Sequence, residues 1–74
     1  MQNNQEKIKE KIQASHIKKG DIIMIKGHAC KIIEISVSKN GKHGHSKIHI
    51  VGFELETNNK FEDINSLTYE YEKL

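Results

Sequence analysis

Apolar residues from Ile22 onward occur in short runs that glycine and asparagine interrupt, which is the pattern of β-strands joined by turns. Within the runs, apolar and polar positions often alternate, so each strand would have one face for a core. The pattern predicts strands over residues 22–26, 30–38, 47–56, 61–64 and 67–72. Five or six short antiparallel strands in about 60 residues favour an all-β fold, namely a small SH3-like barrel.

The third run changes parity near Gly52, because its apolar residues occupy even positions up to residue 50 and odd positions from residue 51 onward. A bulge or bend near this glycine would resolve the slip. Phe53 and Phe61 are predicted to be core residues. A tight turn with two asparagines over residues 57–60 then leads into the fourth strand.

Residues 1–14 are polar and charged, without a strand pattern. Ile8 and Ile12 stand four residues apart, which indicates at most a short amphipathic helix. We therefore predict a polar tail over residues 1–14, followed by one barrel domain over residues 15–74.

Composition excludes several classes of protein. The chain of 74 residues has one cysteine, Cys30, so it can form neither an internal disulfide nor a cysteine-based zinc site. We expect Cys30 to be a small buried apolar residue and not a nucleophile. No apolar run approaches the ~18 residues of a membrane span, and no signal-peptide core is found. A soluble, cytoplasmic protein that is not an enzyme is expected.

The net positive charge lies in one segment, since no carboxylate occurs between Glu34 and Glu54. This window contributes +3, whereas the rest of the chain has nine lysines and ten acidic residues, and the sum is the net charge of +2. A polyanion would be attracted here, and without arginine its phosphates would be bound by lysines, histidines and backbone amides. The basic residues of the window are Lys39, Lys42, Lys47, His43, His45 and His49.

Gly41 and Gly44 bracket Lys42 and His43, and glycine permits the positive φ angles of a sharp turn. The pattern predicts that Lys42 lies at or near a hairpin tip. Its amine would project from the body of the domain, on a stem suited to reaching into a crevice.

The nine residues that end at Lys47 resemble the modification loop of the eukaryotic and archaeal translation factor 5A family. They read Lys39-Asn40-Gly41-Lys42-His43-Gly44-His45-Ser46-Lys47, with asparagine for the family's threonine and serine for its alanine. The resemblance extends over about residues 15–68 and includes residues 26–27, 30–32, 47–52, 57 and 60–64.

The resemblance implies that Lys42 is converted to hypusine. In the family, deoxyhypusine synthase uses NAD to transfer an aminobutyl group from spermidine, and a hydroxylase then acts in eukaryotes. The modified factor binds the ribosome, reaches the acceptor end of the peptidyl-tRNA and relieves stalling, and it needs no bound cofactor. The other loop residues are implied to shape the loop or contact RNA: Lys39, Asn40, Gly41, His43, Gly44, His45 and Lys47.

The sequence departs from the family after the barrel. The family normally carries a second, OB-fold domain there, whereas this chain ends at Leu74 and lacks a cysteine-proline pair in residues 65–68. A truncated form and a single-domain form both fit this departure.

Three other interpretations remain open. The barrel could bind RNA through unmodified lysines, or it could self-assemble, for instance as a homodimer through an exposed strand edge. A metal site built on His43, His45 and His49 is less favoured, because no acidic or cysteine ligand accompanies them in sequence.

Overall fold

The computed structural model describes the backbone of residues 10–40 and 45–74, and the side chains in those ranges other than those of residues 39, 40 and 45. Six antiparallel strands form one sheet in the order β1-β6-β2-β3-β4-β5. The only helical element in the described ranges is a 3-10 turn at Ala14–His16, and no helix there is long and apolar enough to cross a membrane. The strands are β1 (Glu10–Gln13), β2 (Ile22–Ile25), β3 (His28–Asn40), β4 (His45–Glu54), β5 (Lys60–Ser66) and β6 (Glu70–Lys73).

The predicted all-β fold is confirmed, and six antiparallel strands in one sheet are compatible with a small SH3-like barrel. The core consists mainly of isoleucines, whose branched side chains fill a pleated surface well. Cys30 is fully buried, as predicted. The buried cluster comprises Ala14, Ile17, Ile23, Ile25, Cys30, Ile32, Ile48, Ile50 and Tyr71.

Side chains connect β5 to β6, which are not neighbours in the strand order and approach each other because the sheet curls. Tyr71 of β6 donates its hydroxyl to Asp63 of β5 at 2.8 Å. Asn65 of β5 donates its amide to the same carboxylate at 3.0 Å and to the Tyr71 hydroxyl at 2.9 Å. Burial of Tyr71 raises the pKa of its phenol, because the charged form would lose solvation. The hydroxyl therefore stays protonated and can donate across the closure.

The irregularity predicted near Gly52 is confirmed in its location. Ile32 pairs with Gly52, but Glu34 pairs with Val51, so Ile33 is the extra residue of a β-bulge. The extra residue thus belongs to β3, whereas the change of parity in the sequence lies in its partner strand, β4.

The core prediction for Phe53 is wrong, since 39% of this residue is exposed. The bulge lies in β3, so β4 keeps its own alternation through Gly52, and Phe53 stays on the face opposite Ile50. Phe61, which pairs with Gly52 from β5, does pack against the core.

Part of the predicted tail is a strand. Glu10–Gln13 pair with β6 over four residues, and Ile12 packs against the core. Ala14, at the start of the 3-10 turn, is fully buried. The prediction of a tail or helix is therefore wrong for residues 10–14, because tertiary pairing overrides a local sequence that has no strand pattern. The predicted tail also includes residues 1–9, which lie outside the described residues.

The turn predicted at residues 57–60 is confirmed in kind but begins earlier, since β4 ends at Glu54 and Lys60 already belongs to β5. Asn58 has a φ of 66°, in the left-handed region that asparagine tolerates. Its N–H donates to the carbonyl of Glu54 at 2.8 Å, and the N–H of Glu54 donates to the carbonyl of Asn59 at 2.8 Å. These bonds close the connection from β4 to β5.

Candidate functional site: the β3–β4 arm

The longest strands of the structure, β3 and β4, form an arm that we define as residues 34–40 and 45–51. Its pairing runs without interruption from Glu34 opposite Val51 to Asn40 opposite His45. Strand β2 pairs with β3 no farther than Lys31, and β5 pairs with β4 no farther than Lys47. The last two pairs of the arm therefore extend beyond the other strands of the sheet.

The arm forms because both of its strands alternate apolar and polar residues in matching register. Ile35 pairs with Ile50, and Val37 pairs with Ile48, so these apolar positions stand opposite one another. Ile48 and Ile50 are buried, which ties the base of the arm to the core. A slip of one residue would place these isoleucines on the solvent face, so the register is strongly specified.

The predicted site residues that the structure describes lie toward the far end of this arm. The backbones of Lys39, Asn40 and His45 belong to the final two pairs, and Lys47 is exposed one pair below them. The remaining predicted site residues, Gly41, Lys42, His43 and Gly44, lie outside the described residues. In sequence these four residues join Asn40 to His45, two residues that are paired in the sheet.

Near the end of the arm, the acid-free window lies beside uncharged residues of β5. The β5 residues that pair with Lys47, Ile48 and His49 are Ser66, Asn65 and Ile64, none of which carries a charge. A cationic side chain near the end of the arm thus has no carboxylate beside it on β5. Such an arrangement favours approach of a polyanion.

Glu62 is the acid of β5 that approaches the base of the arm on this face. Its carboxylate lies 2.9 Å from Nε2 of His49 and 3.6 Å from Nζ of Lys60. The hydrogen bond with His49, followed by the charge of Lys60, holds the pKa of Glu62 below its usual range. Sequence reasoning missed this partner of His49, although the alternation of β4 and β5 could have suggested it once their register was known.

Neither a metal site nor a nucleophile emerges from the described part of the chain. No group of three histidine, cysteine or acidic residues there is placed to hold a metal ion. Burial and the neighbouring Glu54 raise the pKa of the Cys30 thiol, which disfavours the reactive thiolate. The arm contributes the positive charges of Lys39 and Lys47.

Comparison with known proteins gives one family. The family described as translation initiation factor 5A-like, N-terminal, matches residues 9–69. Eukaryotic translation initiation factor 5A of Drosophila melanogaster is 47% identical over 58 residues, which cover 78% of this chain and 36% of that protein. Factor 5A-3 of Arabidopsis thaliana is 54% identical over 52 residues, which cover 70% of this chain and 33% of that protein. The chain thus spans about a third of the length of these relatives.

Solved structures of similar proteins share the fold. A translation initiation factor 5A family protein from Naegleria fowleri superposes with a TM-score of 0.82 at 38% identity, covering 88% of this chain and 46% of that one. Translation initiation factor 5A from Methanococcus jannaschii superposes with a TM-score of 0.80 at 34% identity, covering 86% of this chain and 48% of that one.

Proposed function

The chain belongs to the translation initiation factor 5A family, and on that premise we propose that it is a translation-factor module whose Lys42 carries hypusine. The module binds the ribosome in the cytoplasm. The modified side chain at the end of the β3–β4 arm then orients the acceptor end of the peptidyl-tRNA, so that peptide bonds form where translation would otherwise stall.

One observation carries the proposal. The strands that flank the lysine-glycine segment are paired up to Asn40 and His45, which leaves four residues, 41–44, to connect them. A connection of this length between paired strands belongs to a hairpin, and its central residues are farthest from the sheet. The second residue of the four is Lys42.

The modification extends the reach of the arm without requiring catalysis by this chain. The synthase forms a bond between Nζ of Lys42 and the terminal carbon of the aminobutyl group, and the carbon–nitrogen bond of spermidine to that group breaks. Atom balance gives 1,3-diaminopropane as the other product, and NAD is regenerated at the end of the transfer. The product has a longer stem and a second cation, which serve positioning and not bond chemistry.

The remaining loop residues act in recognition. Lys39 and Lys47 attract ribosomal RNA and tRNA phosphates, and the β5 residues that pair with residues 47–49 carry no negative charge that would oppose this attraction. The glycines at 41 and 44 give the synthase and the hydroxylase access to the lysine. Asn40, His43 and His45 shape the loop or contact RNA.

A homodimer is an additional partner state that one observation favours. Strand β5 is an edge of the sheet, and 60% of its Ile64 is exposed. An edge strand with an exposed apolar residue can pair with a second copy.

A barrel that self-assembles or binds RNA without modification is the competing function, and the following experiment separates it from the proposal.

We predict that Lys42→Arg abolishes modification and the relief of stalling at proline runs, while the fold persists. Arginine keeps the charge, but its guanidinium cannot accept the aminobutyl group as the lysine amine does. The measurement combines intact and peptide mass after co-expression with deoxyhypusine synthase and spermidine with a stalling reporter in translation. Lys19→Arg, an exposed lysine away from the arm, is the matched control and should behave as the parent chain.

Two outcomes would contradict the proposal. If Lys42 gained no aminobutyl increment under conditions that modify a full-length relative, the chain would be a plain RNA binder or a structural module. If the Lys42→Arg chain still relieved stalling, the modification would have no part in the mechanism.

A further inference from the structure

Strand β5 is one edge of the sheet, and only its β4 side is paired. Exposed and half-buried residues alternate along it, beginning with an exposed Lys60. Ile64, of which 60% is exposed, is the most exposed large apolar residue in the part of the chain that the structure describes. An apolar side chain beside an open strand edge is a combination that leads strands to associate.

The pairing of β4 shows which backbone groups of β5 are free. The N–H of Glu54 donates to the carbonyl of Asn59 at 2.8 Å, so the backbone of Glu54 points towards β5. Backbone direction alternates along a strand, so the even-numbered residues of β4 bond to β5, where their partners are odd-numbered. The even-numbered residues of β5 therefore direct their N–H and C=O groups outward.

These outward groups are available to a further strand. The carbonyl of Ser66 accepts a hydrogen bond from the N–H of Tyr69 at 3.1 Å, which agrees with an outward direction. Among the described residues, the N–H and C=O groups of Lys60, Glu62 and Ile64 form no backbone hydrogen bond. An antiparallel strand added at this edge would pair them.

The side chains of β5 restrict how a second copy can pair with it. In a symmetric antiparallel pair, one residue lies on the two-fold axis and stands opposite itself. Glu62 or Asp63 on the axis would place two carboxylates directly opposite each other, which is unfavourable. Phe61 or Asn65 on the axis would leave only three residues of each β5 within the pair, because the strand runs from Lys60 to Ser66.

Ile64 on the axis avoids both problems. Two exposed isoleucines then cover each other, and such cross-strand apolar pairs are stabilising. Glu62 stands opposite Ser66 of the second copy, and Asp63 stands opposite Asn65 of the second copy, so no two like charges meet. Residues 62–66 of both copies are paired, which is the longest of these pairings without opposed charges.

We propose that a second copy of this chain pairs antiparallel with β5, with the two-fold axis at Ile64. The sheet then continues from one copy into the other, and the two β3–β4 arms extend in opposite directions. This dimer is the homodimer of the proposed function with its surface specified. The inference rests on that partner state and not on the modification of Lys42.

The first test is sedimentation velocity of the full chain at increasing concentrations. The parent chain should shift from 8.5 kDa towards twice that mass. Ile64→Lys should stay monomeric, because two cations would stand opposite each other at the axis. Leu55→Lys replaces a similarly exposed residue outside β5, so this matched control should dimerise like the parent chain. Circular dichroism of the three chains checks that the fold is the same.

Cysteine cross-linking determines the register. Residues opposite each other at the axis have Cα atoms about 5.5 Å apart, which a disulfide can span, so Ile64→Cys should form a covalent dimer on air oxidation. Glu62→Cys should form none, because the two cysteines would be about 14 Å apart along the strands. Cys30 is fully buried and does not compete. Ser66→Lys should tighten the dimer by adding a cation opposite Glu62, and Ser66→Glu should weaken it.

Three outcomes would overturn the inference. A parent chain that stays monomeric at every concentration would do so, whereas the function of Lys42 would still be decided by its own mass measurement. A dimer that Leu55→Lys abolishes and Ile64→Lys leaves intact would be held by another surface. Cross-linking of Glu62→Cys without cross-linking of Ile64→Cys would show a different register.

Discussion

At the scale of single residues, Gly52 has a structural role that no other residue could fill without movement of the backbone. It pairs with Ile32 immediately before the bulge, where β3 approaches β4 closely. A Cβ atom at this position would lie 2.8 Å from the carbonyl oxygen of Lys31 and 3.1 Å from Cβ of Cys30. The first of these atoms belongs to the main chain and cannot rotate away. The requirement for glycine therefore arises from close approach and not from a positive φ angle.

We predict that Gly52→Ala lowers the free energy of unfolding by about 1–3 kcal/mol, the usual cost of an added methyl group that forces a backbone shift. Urea unfolding followed by tyrosine fluorescence or circular dichroism provides the measurement. Ser36→Ala, on the exposed face of β3, is the control and should change stability by less than about 0.5 kcal/mol. An equally small effect of Gly52→Ala would show that the strands can separate here without cost.

At the scale of elements, the sequence was informative where local pattern and tertiary structure agree. Strand β6 and the hairpin of β3 and β4 could be predicted because alternation and turn residues indicate them directly. Strand β1 could not, since Glu10–Gln13 has three polar residues and gains its structure by pairing with β6. The exposure of Phe53 was missed for a related reason, because the bulge that sets its face lies in the partner strand.

The residues of the candidate site could be predicted from the sequence, but the residues that surround them could be predicted only in part. The loop motif is contiguous, so Lys42 and its neighbours are visible in one stretch of sequence. The contact between His49 and Glu62 joins residues thirteen apart through a register that the sequence alone does not state. The uncharged residues of β5 beside the arm are likewise a consequence of pairing.

The closure between β5 and β6 gives a prediction for Tyr71. We expect Tyr71→Phe to lower the free energy of unfolding by about 1–3 kcal/mol, because Asp63 and Asn65 would lose the hydroxyl of a buried partner. Tyr69→Phe is the matched control, since Tyr69 is exposed and its hydroxyl forms no hydrogen bond within the described residues. Equal stability of the two variants at neutral pH would contradict a role for the closure.

The same residue predicts a dependence on alkaline pH. The folded state raises the pKa of Tyr71 above its ordinary value of 10.0, so the unfolded chain loses this proton first as the pH rises. Stability from this group is complete below about pH 10 and declines above it. The free energy of unfolding, measured by denaturation at successive pH values, should therefore fall more steeply above pH 10 for the parent chain than for Tyr71→Phe. Parallel plots of this free energy against pH for the two chains would exclude Tyr71 as the cause.

At the scale of the whole molecule, positive charge is separated from the acidic residues along the sheet. The acid-free window, which includes all of the arm except Glu34 at its base, contributes +3 to a chain whose net charge is +2. On this face, the β5 residues that pair with His49 and Lys47 are Ile64 and Ser66, and the nearest acid of β5, Glu62, is bonded to His49. The molecule therefore presents its attraction for polyanions at one end, and a single charge there should have more effect than the same charge elsewhere.

This difference can be measured as a salt dependence. Lys47→Gln should weaken binding to a ribosomal RNA fragment and reduce the slope of log affinity against log salt by about 0.7–0.9, which corresponds to one lost phosphate contact. Lys19→Gln removes the same charge from an exposed position outside the arm and far from its end, and should leave the slope unchanged. Because both variants have the same net charge, a general loss of attraction would affect them equally, and only a located site would separate them. Equal slopes for the two variants would mean that RNA is held by overall charge, and the arm would then lose its role as the nucleic-acid contact.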